Sequence, residues 1–217
     1  MPKRDNYIDW DTMFIGIAAM AAFRSKDPNT QNGACIVNAE TKRVMSVGYN
    51  GMPAGCSDDE FPWERKAKNS HEAKYDYVIH AERNAIDNYH GDMEGAILYL
   101  YSERGYLPCS FCAQGIVQHG ISEVVLAFID EDCEERYNSP ATKKMFEARG
   151  VEVRTLMPSR NDCALVFHGL SSRLTGIGMT IDGEDVPSTH SELIVENRVL
   201  GEEVSKMKGL VDRLSLT

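Results

Sequence analysis

The stretch AILYLYSERGYLPCSFCAQGIVQHGISEVVLAF, residues 96–128, decides the fold. Its two ends, AILYLY (96–101) and SEVVLAF (122–128), are apolar runs of strand length. Between them, residues 109–119 read as a helix. A strand, a helix and a second strand in that order predict a crossover unit with parallel strands. The pattern extends in both directions. A helix over 80–89 precedes the first strand, and a helix over 140–149 leads into a further strand, VEVRTL (151–156). Upstream, GACIVN (33–38) and RVMSVGYN (43–50) flank the polar turn AETK and predict a hairpin. Residues 9–24, rich in Ala and Met, predict a buried helix. The expected architecture is a three-layer α/β/α domain with a central mixed sheet over residues 1–158. Residues 159–217 form a C-terminal extension. Its Leu193, Asn197, Leu200, Val204, Met207, Val211 and Leu214 make a heptad-like stripe that predicts a helix, for docking or for assembly.

Bulk properties narrow the function. The chain has 217 residues, 42% of them hydrophobic, enough for one good core and an appendage. A formal net charge of −10 disfavours binding to a nucleic-acid backbone, yet leaves room for a small phosphorylated ligand met by a local cation. The N-terminal MPKRDNYIDWD lacks an apolar signal core, and the longest apolar run, MFIGIAAMAAF (13–23), is too short to span a bilayer. No membrane association is expected. Six cysteines, dispersed apart from one C-x-x-C pair, fit a reducing cytoplasm.

The chemistry lies in HAERNAI (80–86) and PCSFCAQGI (108–116). Residues i and i+2 do not share a helix face, so His80 and Glu82 are not two grips on one metal. Cys109 and Cys112, three apart at a helix start, can point their sulfurs the same way, where the positive helix end favours thiolates. Each piece alone has a plain reading: a redox pair, half of a structural zinc knuckle, a capping histidine. If the two helices lie side by side, however, one imidazole and two thiolates converge. That donor set suits zinc with an open fourth position. His80, Cys109 and Cys112 are then the candidate metal ligands, and Glu82 is the candidate proton carrier beside a metal-acidified water. His-x-Glu followed by Pro-Cys-x-x-Cys is the described signature of zinc nucleobase deaminases.

RSKDPNTQNGACIVN (24–38), GYNGMPAGCSDD (48–59), KYDYVIHAERNAI (74–86) and PCSFCA (108–113) together resemble the cytidine deaminase superfamily, and within it the deoxycytidylate deaminases. The resemblance implies a cytidine deaminase-like fold and zinc-dependent hydrolysis of dCMP to dUMP and ammonia, supplying dUMP for thymidylate synthesis. It implies His80, Cys109 and Cys112 on Zn2+, Glu82 as catalytic acid/base, and Asn50 and the Ala81 backbone against sugar and base. It also implies a homo-oligomer, commonly a hexamer, activated by dCTP and inhibited by dTTP, with Mg2+ accompanying the triphosphate. GMPAGCSDD (51–59) resembles the segment tied to that regulation, and Asp58 and Asp59 could orient a metal or a basic partner there. For the phosphate, Arg24 and Ser25 are the candidates, with Lys26 and Arg83 behind them. The chain departs from the family at SERGYL (102–107), a longer connection than usual, which places Tyr101, Arg104 and Tyr106 near the expected pocket mouth. A second zinc on Cys56 and His71 is the less favoured reading of those residues. The alternatives are a deaminase of another cytosine nucleotide, such as dCTP or a modified dCMP, and a non-catalytic regulatory module that kept the zinc fold.

Overall fold

A computed structural model describes residues 1–3, 7–102, 105–127 and 139–156. These residues all fall in one compact unit, Met1–Asp162. The predicted helix at 193–214 lies outside the described residues. Helix α1 (Trp10–Ala22) comes first, its N-terminus capped by the Asp9 carboxylate, which accepts from the Thr12 N–H at 2.7 Å. Strands β1 (Asn32–Val37) and β2 (Val44–Tyr49) then form the expected antiparallel hairpin. A long polar segment follows, with short 3-10 turns at Ser70–Glu72 and Lys74–Asp76. After it come α2 (Ala81–Asp87), β3 (Ile97–Ser102), α3 (Ser110–Gln118), β4 (Glu123–Leu126), α4 (Pro140–Arg149) and β5 (Glu152–Thr155).

The five strands form one mixed sheet in the order β2-β1-β3-β4-β5. β1 is antiparallel to both β2 and β3, while β3, β4 and β5 run parallel. Strand alternation sends side chains to two separate cores. Ala34, Ile36, Leu98, Leu100, Val124 and Leu126 pack on one face with Ala85 and Ile86 of α2, Ile116 of α3 and Phe146 of α4. Cys35, Val37, Ile97, Tyr99 and Val125 pack on the other face with Phe14, Ile15 and Ala18 of α1. This is the three-layer α/β/α arrangement that the strand and helix alternation predicts. Among the described residues, no helix is long and apolar enough to cross a membrane.

Two glycines let helices press onto the hairpin. A Cβ on Gly33 would stand 1.9 Å from the Ala18 carbonyl of α1, and one on Gly48 would stand 2.3 Å from the Ala85 nitrogen of α2. Beside Gly48, the Ser46 hydroxyl donates to the Ala85 carbonyl at 2.6 Å, satisfying one of the carbonyls that the end of α2 leaves without an intrahelical partner. A close backbone approach and a buried hydrogen bond therefore fix α2, and with it residues 80 and 82, against β2.

Candidate functional site

His80 and Cys109 occupy equivalent places, each in extended conformation at the N-cap of its helix, α2 and α3 respectively. The two helices pack side by side on one face of the sheet. Because Cys112 is one turn inside α3, its sulfur returns to the same point as that of Cys109. His80 Nδ1 lies 3.4 Å from Cys109 Sγ and 3.5 Å from Cys112 Sγ. All three donor atoms are within 4.8 Å of one another, and among the described residues no other such cluster occurs. Cys56 and His71 form none. α4 braces the α3 end of the site, since the buried Thr142 hydroxyl donates to the Pro108 carbonyl at 2.9 Å.

The spacing can be tested against zinc. Tetrahedral bonds of about 2.05 Å to nitrogen and about 2.3 Å to sulfur would separate those atoms by about 3.6 Å. The distances of 3.4 and 3.5 Å agree with this. The ionisation of the three groups is coupled. The hydrogen bond from Cys112, opposed by burial and helped by His80, draws the Cys109 thiol down to about 4. The bond to Cys109, opposed by burial and reinforced by the Glu82 charge, holds the His80 imidazole up at about 9. The Cys112 thiol is pushed well above its ordinary range by its bond to Cys109 and by burial. A divalent cation at this point would supply the positive charge that favours both sulfurs as thiolates and His80 as a neutral ligand. The donor set fits zinc.

Glu82 stands on the second residue of α2, only 6% exposed. Burial raises its carboxyl above the usual range, partly countered by the nearby His80 charge. A carboxyl so placed exchanges protons closer to neutral pH than an exposed one does. Glu82, His80 and Cys109 line a cleft of about 280 Å³. That volume lies near the lower end for small-molecule sites, about 300–1,000 Å³.

The other sequence candidates fall into two groups. Asn50 lines the cleft, but its amide is engaged: Oδ1 accepts from the Asn32 N–H at 2.8 Å, and Nδ2 donates to the Thr30 carbonyl at 3.0 Å and to Asp27 at 3.3 Å. Both of its donors are spent, so it shapes the wall in this conformation. Ser25 supports it from behind, donating to the Asn50 carbonyl at 2.7 Å. Ala81 is fully buried in the core. Arg24 is exposed and lies over the Tyr49 ring, 5.8 Å from its centroid, and neither Arg24 nor Ser25 is among the residues lining the cleft. Lys26 pairs with Asp58 at 2.5 Å, and Arg83 pairs with Asp87 at 2.8 Å. Tyr106 does reach the cleft. Tyr101 does not, because strand alternation turns it toward the α1 core while Leu100 and Ser102 face the cleft. Arg104 lies outside the described residues.

Sequence reasoning passed over Asp27, Lys74 and Arg65. Asp27 and Lys74 form an ion pair with side chains 1% and 5% exposed, and Asp27 also meets Asn50. Both line the cleft, together with Arg65. The available signal was the presence of an acid and a base in the two quoted segments, RSKDPN and KYDY, but nothing local pairs residues so far apart.

The family model for the cytidine and deoxycytidylate deaminase zinc-binding region matches residues 8–128. The deoxycytidylate deaminase of Pongo abelii is 43% identical over 172 residues, which cover 79% of this chain and 93% of that protein. The deoxycytidylate deaminase of Homo sapiens is 42% identical over 172 residues with the same shares. Among solved structures, a dCMP deaminase from the cyanophage S-TIM5 in complex with dCMP and dUMP aligns at 20% identity and a TM-score of 0.48, over 66% of this chain and 94% of that one. A family match to more than half of the sequence, with relatives at 42–43% identity across most of both proteins, shows that this chain belongs to the cytidine and deoxycytidylate deaminase family, its His80, Cys109 and Cys112 cluster inside the matched zinc-binding region.

Proposed function

We propose that this protein hydrolyses dCMP to dUMP and ammonia. The observation that carries the reading is the meeting of the His80, Cys109 and Cys112 donors with the buried Glu82 carboxyl at one cleft. The likeness to deoxycytidylate deaminases at 42–43% identity supports dCMP as the substrate. Zinc held by His80, Cys109 and Cys112 supplies the Lewis acidity that makes a water reactive near neutral pH. The chain's own groups do the rest. Glu82 takes a proton from the attacking water and delivers it to N3 of the pyrimidine as the oxygen bonds to C4. It then carries the second water proton to the departing amine, and the C4–N bond breaks. One water proton ends on N3 of uracil and the other on ammonia. Leu100, Leu107 and Val78 give the cleft an apolar wall, which strengthens these charge-assisted contacts.

The same proposal includes the regulation that GMPAGCSDD (51–59) suggests by its likeness to the family, activation by dCTP with Mg2+ and inhibition by dTTP, together with the hexameric assembly that family resemblance implies. The test is ammonia release by zinc-loaded protein from dCMP, dCTP and deoxycytidine, each with and without dCTP and Mg2+ as effector. Preferential turnover of dCMP is the expected result. Turnover of dCTP with dCMP spared would assign another cytosine nucleotide, and no ammonia from any of them would leave a zinc-fold regulatory module.

A further inference from the structure

Among the described residues, two buried side-chain polar atoms lack a hydrogen-bond partner, Arg65 Nε and Ser102 Oγ. Both residues line the cleft that holds His80 and Glu82. Ser102 is only 5% exposed, so water does not readily satisfy it. Buried polar groups are nearly always paired, and two orphans in one cleft mark a place where a polar ligand completes the structure.

The charges of the cleft indicate which group of the ligand Arg65 meets. Its basic side chains are Arg65, Lys74 and His80. Lys74 is neutralised by the buried Asp27 carboxylate, and His80 is committed to the two sulfurs. Arg65 has no acidic partner among the described residues. The polar segment is pinned so that Arg65 faces inward: the Lys74 N–H donates to the Glu64 carbonyl at 3.0 Å, and the Trp63 indole N–H donates to the Asp58 carbonyl at 2.8 Å. We propose that Arg65 is the cation that receives the 5′-phosphate of the substrate, in place of Arg24, which lies outside the cleft against Tyr49. A guanidinium suits this task because its planar fork donates two parallel hydrogen bonds to a phosphate. This inference rests on the proposed function, since it assigns one part of that same substrate.

The experiment measures equilibrium binding of dCMP and of deoxycytidine by calorimetry, in zinc-loaded Glu82→Gln protein so that neither ligand is consumed. Arg65→Gln and Arg65→Lys are then added to that background. Losing one charged contact should weaken dCMP binding about ten- to hundred-fold while deoxycytidine binding stays within about twofold. Arg65→Lys, which keeps the charge and loses the fork, should fall between. Zinc content and melting temperature are followed in every variant. Equal weakening of both ligands, unchanged dCMP binding, or a selective loss of dCMP on Arg24→Gln instead would overturn the assignment. Failure of the underlying function shows differently, in parent protein with Glu82 intact that releases no ammonia from dCMP, and it would overturn the assignment too.

Discussion

Gly48→Ala tests whether the close seat of α2 on β2 sets the catalytic geometry. The added Cβ would lie 2.3 Å from the Ala85 nitrogen, 2.5 Å from the Ala81 carbonyl oxygen and 2.8 Å from Ala85 Cα, all backbone atoms, where ordinary contact is 3.4–4 Å. No side chain can swing aside, so α2 has to move away from the sheet by about 1 Å to reach ordinary packing. Overpacking of this kind costs about 1–3 kcal/mol. The segment that moves includes Glu82 and begins at His80, and a misplacement of about 1 Å in a reacting group lowers the rate about a hundredfold. The assay is urea unfolding together with kcat/KM for dCMP on zinc-loaded protein, with metal content determined in parallel. Gly51→Ala is the control, because its Cβ would meet only the Tyr49 ring at 3.4 Å or more. It should stay near parental activity and stability. A Gly48→Ala protein with parental kcat/KM, or one that is destabilised yet turns over normally, would refute the claim that α2's seat positions the chemistry.

Three further outcomes are expected. Asp27→Asn leaves the Lys74 ammonium buried without a counter-charge and should cost about 3–5 kcal/mol, read as a fall in the urea midpoint; a loss under about 1 kcal/mol would mean the pair does not brace the cleft wall. The bond from Arg154 holds the Asp11 carboxyl below its usual 3.8, so its stabilisation is present above that pH and is lost as pH falls further, through the depressed folded value. Arg154→Ala should flatten this acid limb of the stability curve at low salt. The effect should shrink in high salt because the Arg154 side chain is 41% exposed; a limb unchanged by the substitution would assign it to other carboxylates. Removing the metal with a strong chelator, or His80→Ala, should abolish turnover and lower the melting temperature, since ions that bind only the folded state stabilise it. Full activity in metal-free protein would contradict the zinc reading.

The sheet was legible because its signals are local. Alternating strand-length and helix-length segments from residue 80 to residue 156 predict the parallel half, and the short AETK turn predicts the hairpin. The His80, Cys109 and Cys112 cluster was legible because metal chemistry admits few residue types, and because His80 and Cys109 each cap a helix with Cys112 one turn further on. The polar wall of the cleft that Asp27, Arg65 and Lys74 form was not. Arg24 opens a recognisable segment, and the sequence offers no hint that its guanidinium lies over the Tyr49 ring. Asp27 and Lys74 pair across the fold, and Arg65 lies in a polar stretch without periodicity. The path of that stretch follows from distant backbone bonds, such as the paired bonds between Gly51 and Ile79 at 2.9 and 3.1 Å. Tyr101 was misplaced for a simpler reason: a one-residue change of position on a strand reverses the face.

The most direct test of the account compares zinc content and ammonia release from dCMP for the parent protein and Glu82→Gln. His80, Cys109 and Cys112 form the donor cluster without Glu82, so both proteins should hold one zinc per chain. Removing the proton carrier should lower turnover by about 10²–10⁴-fold. Parental turnover in zinc-loaded Glu82→Gln would contradict the division of labour between the two halves of His-x-Glu.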